Sequence, residues 1–306
     1  MLRLGESPLS ASRERSVDEL RGAFLGRLET IPVAEGLAAR VLRDGDGPSV
    51  LWLHGYTLDS TSWREMWSRL PGWRHLGLDL PGHGSSGPIV PGENLRTLGR
   101  KVADFCKREG IRHLVALSFG TLTATQVAIE EPEWFWSLVL GAPSLAGGPQ
   151  DPRVGRTYAR LGELYRRVGP GPQMTRTWMD CIAWKGVEKQ PALQEEMRRL
   201  VESHGWSELR DWGMWRLLQP PQQEDDIRRI VTPVLVVIGE QDLPAFHLVA
   251  ATLERALQSC TRVTLPDTGH LCMLESPDLS AGPVRQHLEA THHPAQRASR
   301  TGEQAG

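Results

Sequence analysis

No stretch of the 306-residue chain holds the roughly 18 consecutive apolar residues needed to cross a bilayer. The opening MLRLGESPLSASRERS lacks the apolar centre and small-residue cleavage site of a secretory signal. Together these absences predict a cytoplasmic chain with no membrane insertion. The net charge is only −2, which removes any electrostatic reason to expect a nucleic acid or an acidic membrane as partner. Small neutral or weakly charged substrates remain open. Cysteine is scarce: Cys106, Cys181, Cys260 and Cys272 are scattered, with no C-x-x-C pair and no histidines at zinc-ligand spacing. This argues against a disulfide framework or structural metal site and predicts free thiols. No internal repeat of about 20 to 50 residues occurs, so no repeat architecture is expected.

What the chain does contain is alternation. Short apolar, β-branched runs separated by helical patterns predict a mostly parallel sheet with crossover helices. FLGRLETIPV and LAARVLRD read as an antiparallel edge pair turning near Glu35 and Gly36, followed by the strands SVLWLHG and HLGLDL. Asn94 to Arg108 reads as a helix, with Leu95, Leu98, Val102 and Phe105 as its apolar stripe. HLVALS then runs into a small-residue-rich helix over Phe119 to Glu130, and FWSLVLGAP is the next strand. From Ser144 to Arg229 no strong strand appears, and helical stretches rich in Trp, Met and Arg predict an insertion. Alternation resumes with PVLVVIGEQD, a helix over Phe246 to Leu257, TRVTLPD and a last helix. SVDE at Ser16 to Glu19 reads as a capping box ahead of a short amphipathic helix, and the end from Thr291, with His292 and His293, as disordered.

Chemistry concentrates where strands end. In VALSFGTLTA, Ser118 lies between Ala116 and Gly120, small residues two positions before and after it, as a tight strand-turn-helix elbow requires. Such an elbow lifts the hydroxyl out of the sheet top and aims the next helix's amino end at it. In another α/β fold the same serine would merely cap a helix. HGYTLDSTSW follows a buried strand, and its His-Gly-x turn can present a backbone amide, which with the amide after Ser118 assigns an oxyanion hole to Tyr56 and Phe119. Asp242 lies just past VLVVIG, and His270 follows RVTLPD in TGHLCMLESP. Strand carboxyl ends deliver side chains to the site of an open α/β sheet, so Ser118, His270 and Asp242 read as nucleophile, general base and orienting acid. Taken singly, Asp242 could cap a helix and His270 could be a surface histidine. His54 reads as structural, holding its loop, since the base is better supplied elsewhere, and Asp79 and His83 likewise, since Pro81, Gly82 and Gly84 mark a turn whose Asp bonds local amides.

LWLHGYTLDSTSW, LDLPGHGSSG, LVALSFGTLTA, VLVVIGEQD and LPDTGHLCMLESP, in order over residues 50 to 275, resemble the successive signature segments of the α/β-hydrolase superfamily. The resemblance implies an eight-stranded, mostly parallel sheet with helices on both faces, a Ser118-Asp242-His270 triad and a helical lid inserted after the sixth strand. On this reading, residues 1–24 are an N-terminal extension, 25–144 and 230–290 the α/β-hydrolase core, 145–229 the lid and 291–306 a disordered tail. Ala116 departs from the usual first glycine, and Thr121 stands where a second glycine often follows, narrowing the pocket floor. Gly282 and Pro283 should break or delay the final helix.

The expected activity is hydrolysis of a carboxylic ester or lactone of a small, apolar substrate through an acyl-enzyme. Carbon-carbon cleavage, thioester hydrolysis and acyl transfer use the same triad, and a slow-turnover ligand receptor is the alternative that is not an enzyme. Trp178, Trp184, Trp212 and Trp215 are candidate substrate contacts, although such residues also serve as a lid's own core. No cofactor or metal is expected, and the chain should act as a monomer or homodimer.

Overall fold

The computed structural model describes residues 24, 26–42, 45 and 47–292. Strands β1 (Leu28–Ala34), β2 (Leu37–Leu42), β3 (Ser49–Leu53), β4 (Arg74–Asp79), β5 (His113–Leu117), β6 (Ser137–Gly141), β7 (Val234–Gly239) and β8 (Cys260–Leu265) form one sheet in the order β1-β2-β4-β3-β5-β6-β7-β8. β2 runs antiparallel to both its neighbours, and the pairs from β4 through β8 are parallel.

Strand residues alternate between two cores, as a pleat of period two demands. Leu51, Leu53, Leu114 and Ala116 join one core with Leu98 and Val102 of helix Leu95–Arg108 and Val127 of helix Phe119–Glu130. Val50, Trp52, Val115 and Leu117 join the other with Met66 and Trp67 of helix Arg64–Arg69 and Val284 of helix Pro277–His292. Both faces are therefore covered, which explains why the central strands are apolar throughout. Helix Leu95–Arg108 begins where its cap dictates: Asn94 accepts from the Thr97 amide while the Thr97 hydroxyl accepts from the Asn94 amide.

Between Gly141 and Val234 the chain is helical, with segments at Pro152–Val168, Pro172–Met179, Lys185–Glu188, Pro191–Ser203, Gly213–Leu217 and Glu224–Arg228. No helix among the described residues is long and apolar enough to cross a membrane.

One expectation is corrected. The last helix is continuous from Pro277 to His292, with Gly282 and Pro283 inside it. The acceptor that Pro283 leaves unused in the i→i−4 ladder is the carbonyl of Leu279, a residue 50% exposed at the helix surface, where one lost ladder bond does not end the helix. Thr291 and His292 belong to this helix, and the His292 ring lies against His113 and Trp73. The capping box at Ser16 and the chain beyond His292 lie outside the described residues.

Candidate active site

The elbow is built by close approach. Ser118 has φ 50° and ψ −117°, a conformation costly for a residue with a side chain, and helix Phe119–Glu130 starts at the next residue. A Cβ on Gly120 would stand 2.5 Å from the Leu53 carbonyl oxygen and 2.6 Å from that of His54, so a glycine is required there. Ala116 is fully buried opposite Leu53 and Leu140, so a methyl group fits where glycine is usual. Thr121 holds the elbow in place. Its hydroxyl donates to the Ser118 carbonyl at 2.5 Å and accepts from the Ser144 amide at 2.8 Å, tying the elbow to the chain leaving β6.

Three distant segments meet at this rim of the sheet. The Ser118 hydroxyl lies 2.8 Å from His270 Nε2, and His270 Nδ1 lies 3.0 and 3.2 Å from the two Asp242 carboxylate oxygens. Ser118 is half-buried, while His270 and Asp242 are each 7% exposed. Asp242 Oδ1 also accepts from the Leu243 amide at 2.7 Å, which fixes the carboxylate. Gly239, at the end of β7, permits this meeting, since a Cβ there would fall 2.2 Å from the carbonyl oxygens of Thr268 and Gly269.

A residue that sequence reasoning missed holds the histidine loop. Glu275, 5% exposed, accepts from the Gly269 amide at 2.6 Å and from the Leu271 amide at 2.9 Å, so its carboxylate brackets His270 on both sides. Burial raises its pKa; the two amides and the nearby His270 act in the opposite direction. Its signal was a lone acid one turn beyond His270 in an otherwise apolar run, GHLCMLE. From the helical segment, Gln190 Nε2 donates to the Glu275 carbonyl at 2.9 Å, and Gly186 leaves no room for a side chain, as its Cβ would lie 1.9 Å from Glu275 Oε2.

The turn after β3 packs beside the nucleophile: a Cβ on Gly55 would stand 3.8 Å from that of Ser118. Tyr56 lies in this turn, and Phe119, the residue after Ser118, opens helix Phe119–Glu130. The turn itself is anchored. Leu80 N–H donates to His54 Nε2 at 3.0 Å and Thr57 N–H to His83 Nε2 at 3.2 Å. His54 Nδ1 lies 2.8 Å from the Gly55 carbonyl. Burial lowers the pKa of both imidazoles, which suits them as neutral acceptors. Asp79 accepts from the Ser60 and Ser85 amides at 2.8 and 2.7 Å, a structural use of its carboxylate.

The four candidate tryptophans fall into two groups. Trp178 and Trp184 are buried, and Trp178 Nε1 donates to Thr57 Oγ1 at 2.7 Å with its ring edge-on to Tyr56. Trp212 and Trp215 are 71% and 62% exposed. Beside the His270–Asp242 pair opens a cavity of about 560 Å³, lined by Ile182, Lys185 and Lys189 of the helical segment and by Leu243. All four cysteines are free, and burial pushes up the thiols of Cys106, Cys260 and Cys272, so none of these three is primed as a nucleophile. Among the described residues, no three His, Cys, Asp or Glu side chains are grouped to hold a metal ion.

The sheet order, the elbow and the acid–imidazole–hydroxyl line define an α/β hydrolase, and residues 50–282 match the alpha/beta hydrolase family. The chain belongs to that family. It is 28% identical over 265 residues, 83% of this chain and 67% of the relative, to the dihydrolipoyllysine-residue acetyltransferase component of an acetoin cleaving system from Cupriavidus necator. It is also 28% identical over 250 residues, 79% of this chain and 92% of the relative, to a 2-succinyl-6-hydroxy-2,4-cyclohexadiene-1-carboxylate synthase from an Enterobacter species. Among solved structures, a thermophilic esterase from Thermogutta terrifontis is similar with a TM-score of 0.69 and 25% identity, over 84% of this chain and 94% of the esterase.

Proposed function

We propose that the chain is a serine hydrolase that cleaves a carboxylic ester or lactone of a small substrate through an acyl-enzyme. The observation that carries this reading is the line of hydrogen bonds from Ser118 Oγ through His270 to Asp242, 2.8 and 3.0 Å long, at a strained elbow. His270 Nε2 takes the Ser118 proton as the oxygen attacks the carbonyl, then returns it to the leaving alkoxide. Asp242 keeps the proton of the other ring nitrogen on Nδ1 and stabilises the imidazolium that forms. The amides of Tyr56 and Phe119 receive the oxyanion, and water activated by His270 releases the acyl group.

Residues 145–229 act as a lid whose acyl-pocket side chains are Trp178, bonded to Thr57, and Trp184, edge-on to Trp178. The solvent exposure of Trp212 and Trp215 keeps them out of that proposal. The similarity to a protein named as an acetyltransferase component favours a second reading, transfer of the acyl group to an acceptor other than water. A panel of aryl esters, lactones and acyl thioesters, run with wild type and Ser118→Ala and with labelling by a fluorophosphonate, tests the reading. Turnover by wild type and stoichiometric modification of Ser118 are expected. Equal turnover by Ser118→Ala would overturn the assignment.

A further inference from the structure

Glu208 has no solvent-exposed surface, yet it lies in the helical segment, in the short turn Ser207–Trp212, rather than among the groups used so far. Its Oε1 accepts from the Tyr56 hydroxyl at 2.6 Å and faces His204 Nε2 at 3.0 Å, while Oε2 has no hydrogen-bond partner among the described residues. A fully buried carboxylate with one oxygen unsatisfied is costly, and an apolar side chain of similar size would fill this space at less expense. Burial and the neighbouring Glu208 raise the pKa of Tyr56 well above the ordinary phenol range, so the hydroxyl keeps its proton and donates. The Tyr56 ring is confined as well, with edge contacts to Phe119, Trp178, His204 and Trp206.

We propose that Glu208 is a positioning residue for the oxyanion loop: through the Tyr56 hydroxyl it tethers that loop to the helical segment, so that seating of residues 204–208 and stabilisation of the oxyanion go together. The proposal rests on the assignment of the Tyr56 amide as an oxyanion donor. One end of Tyr56 is then the amide that meets developing charge, and the other is the hydroxyl held by the carboxylate. Rotating the amide away from Ser118 would strain or break a short hydrogen bond in a water-free setting, where such bonds are strong. Thr57 reinforces the tether, since its hydroxyl accepts from Trp178 of the same segment and its amide donates to His83. Glu208 bonds neither Ser118 nor His270, and it reaches the oxyanion loop through the Tyr56 hydroxyl.

The test compares Tyr56→Phe, Glu208→Ala, Glu208→Gln and the double variant Tyr56→Phe/Glu208→Ala, using kcat and KM for a p-nitrophenyl ester and hydrogen exchange of the amides of residues 55–58. Tyr56→Phe keeps the ring and its packing, so it remains informative should Glu208→Ala fail to fold. Tyr56→Phe and Glu208→Ala should each lower kcat about tenfold, with KM held within about threefold. The double variant should be no worse than the more severe single one, because both remove the same bond. Glu208→Gln keeps an acceptor for the hydroxyl and should recover most of the loss, whereas exchange at 55–58 should quicken in the other variants. A folded Tyr56→Phe with kcat unchanged, a rise in KM alone, or additive losses would overturn the proposal. If wild type neither turns over esters nor takes the fluorophosphonate, the serine-hydrolase reading fails separately. Exchange then still decides the tether, and unchanged protection at 55–58 in Tyr56→Phe removes it.

Discussion

The carboxylate that brackets His270 can be removed almost without changing its shape, by Glu275→Gln. Two buried amides, Gly269 and Leu271, donate to it at 2.6 and 2.9 Å. Glutamine supplies one acceptor oxygen, and its NH2 group then faces the second amide donor to donor. One hydrogen bond is lost and one buried N–H is left unsatisfied, worth about 1–3 kcal/mol. Loss of a carboxylate whose pKa burial has raised offsets part of this, because the charged form was itself disfavoured. For a chain of this size the net effect should lower Tm by roughly 1–5 °C. The larger effect should be on rate. Gly269 and Leu271 are the two neighbours of His270, and displacement of the imbedded imidazole by about 1 Å can reduce turnover about a hundredfold. Thermal melts and kcat for an aryl ester read both effects: kcat should fall roughly 10- to 100-fold while KM moves little. Gly186→Ala, which pushes a methyl group against the same carboxylate, should lower kcat too, and the two changes should combine by less than their product. A Glu275→Gln protein with lowered Tm and wild-type kcat would show that the carboxylate only stabilises the fold, and the positional argument would be refuted.

Asp242→Asn should reduce kcat on the order of 10⁴-fold with KM little changed, since an amide next to Nδ1 favours the wrong tautomer; steady-state kinetics check this. Gly120→Ala should destabilise the protein by about 1–3 kcal/mol or more, read by urea denaturation, because its methyl group meets the backbone carbonyls of Leu53 and His54 rather than a yielding side chain. Stability should also fall in acid. Burial lowers the pKa of His75 from 6.5 to about 4, with Trp52 Nε1 donating to its Nδ1. Its folded value thus lies below its unfolded one, so its contribution is complete above about 6.5 and is lost as pH falls toward about 4, with a ceiling of about 3 kcal/mol. His75→Gln should flatten that part of the pH–stability curve, and an unchanged slope would assign it to other groups.

Much of this architecture was legible in the chain because it is written in short-range patterns. The run from His113 to Leu117 read as a strand in an alternation of strands and helices, and the Ala116-x-Ser118-x-Gly120 spacing reports the room that an elbow leaves. The helix over Asn94 to Arg108 was legible from its apolar stripe, and in the structure Asn94 and Thr97 cap its start. What was not legible is pairing across long separations. Glu208 and Tyr56 lie 152 residues apart, and nothing near either one reports the other. Bulk apolar character likewise does not separate Trp178, which donates to Thr57, from Trp212, which faces solvent. Pro283 misled for a related reason: a proline's effect depends on where in the fold the residue whose carbonyl it leaves unpaired lies, and exposure of Leu279 is a property of the fold.

Glu275 and Glu208 share a logic that stability alone does not supply. Each is a carboxylate withdrawn from water, and each accepts hydrogen bonds from a loop carrying a group of the candidate machinery: the general base in one case and an oxyanion donor in the other. Removing a carboxylate from water is unfavourable, and well-packed apolar residues often stabilise a fold at least as well. Directional bonds do something that packing does not, which is to fix the rotation of a particular peptide group, and proton transfer over 2.8 Å is sensitive to that rotation. Both carboxylates also meet the helical segment, Glu275 through Gly186 and Gln190 and Glu208 by belonging to it. Substitutions within residues 145–229 should therefore act on rate, because this helical segment bears on the two loops that would perform the chemistry.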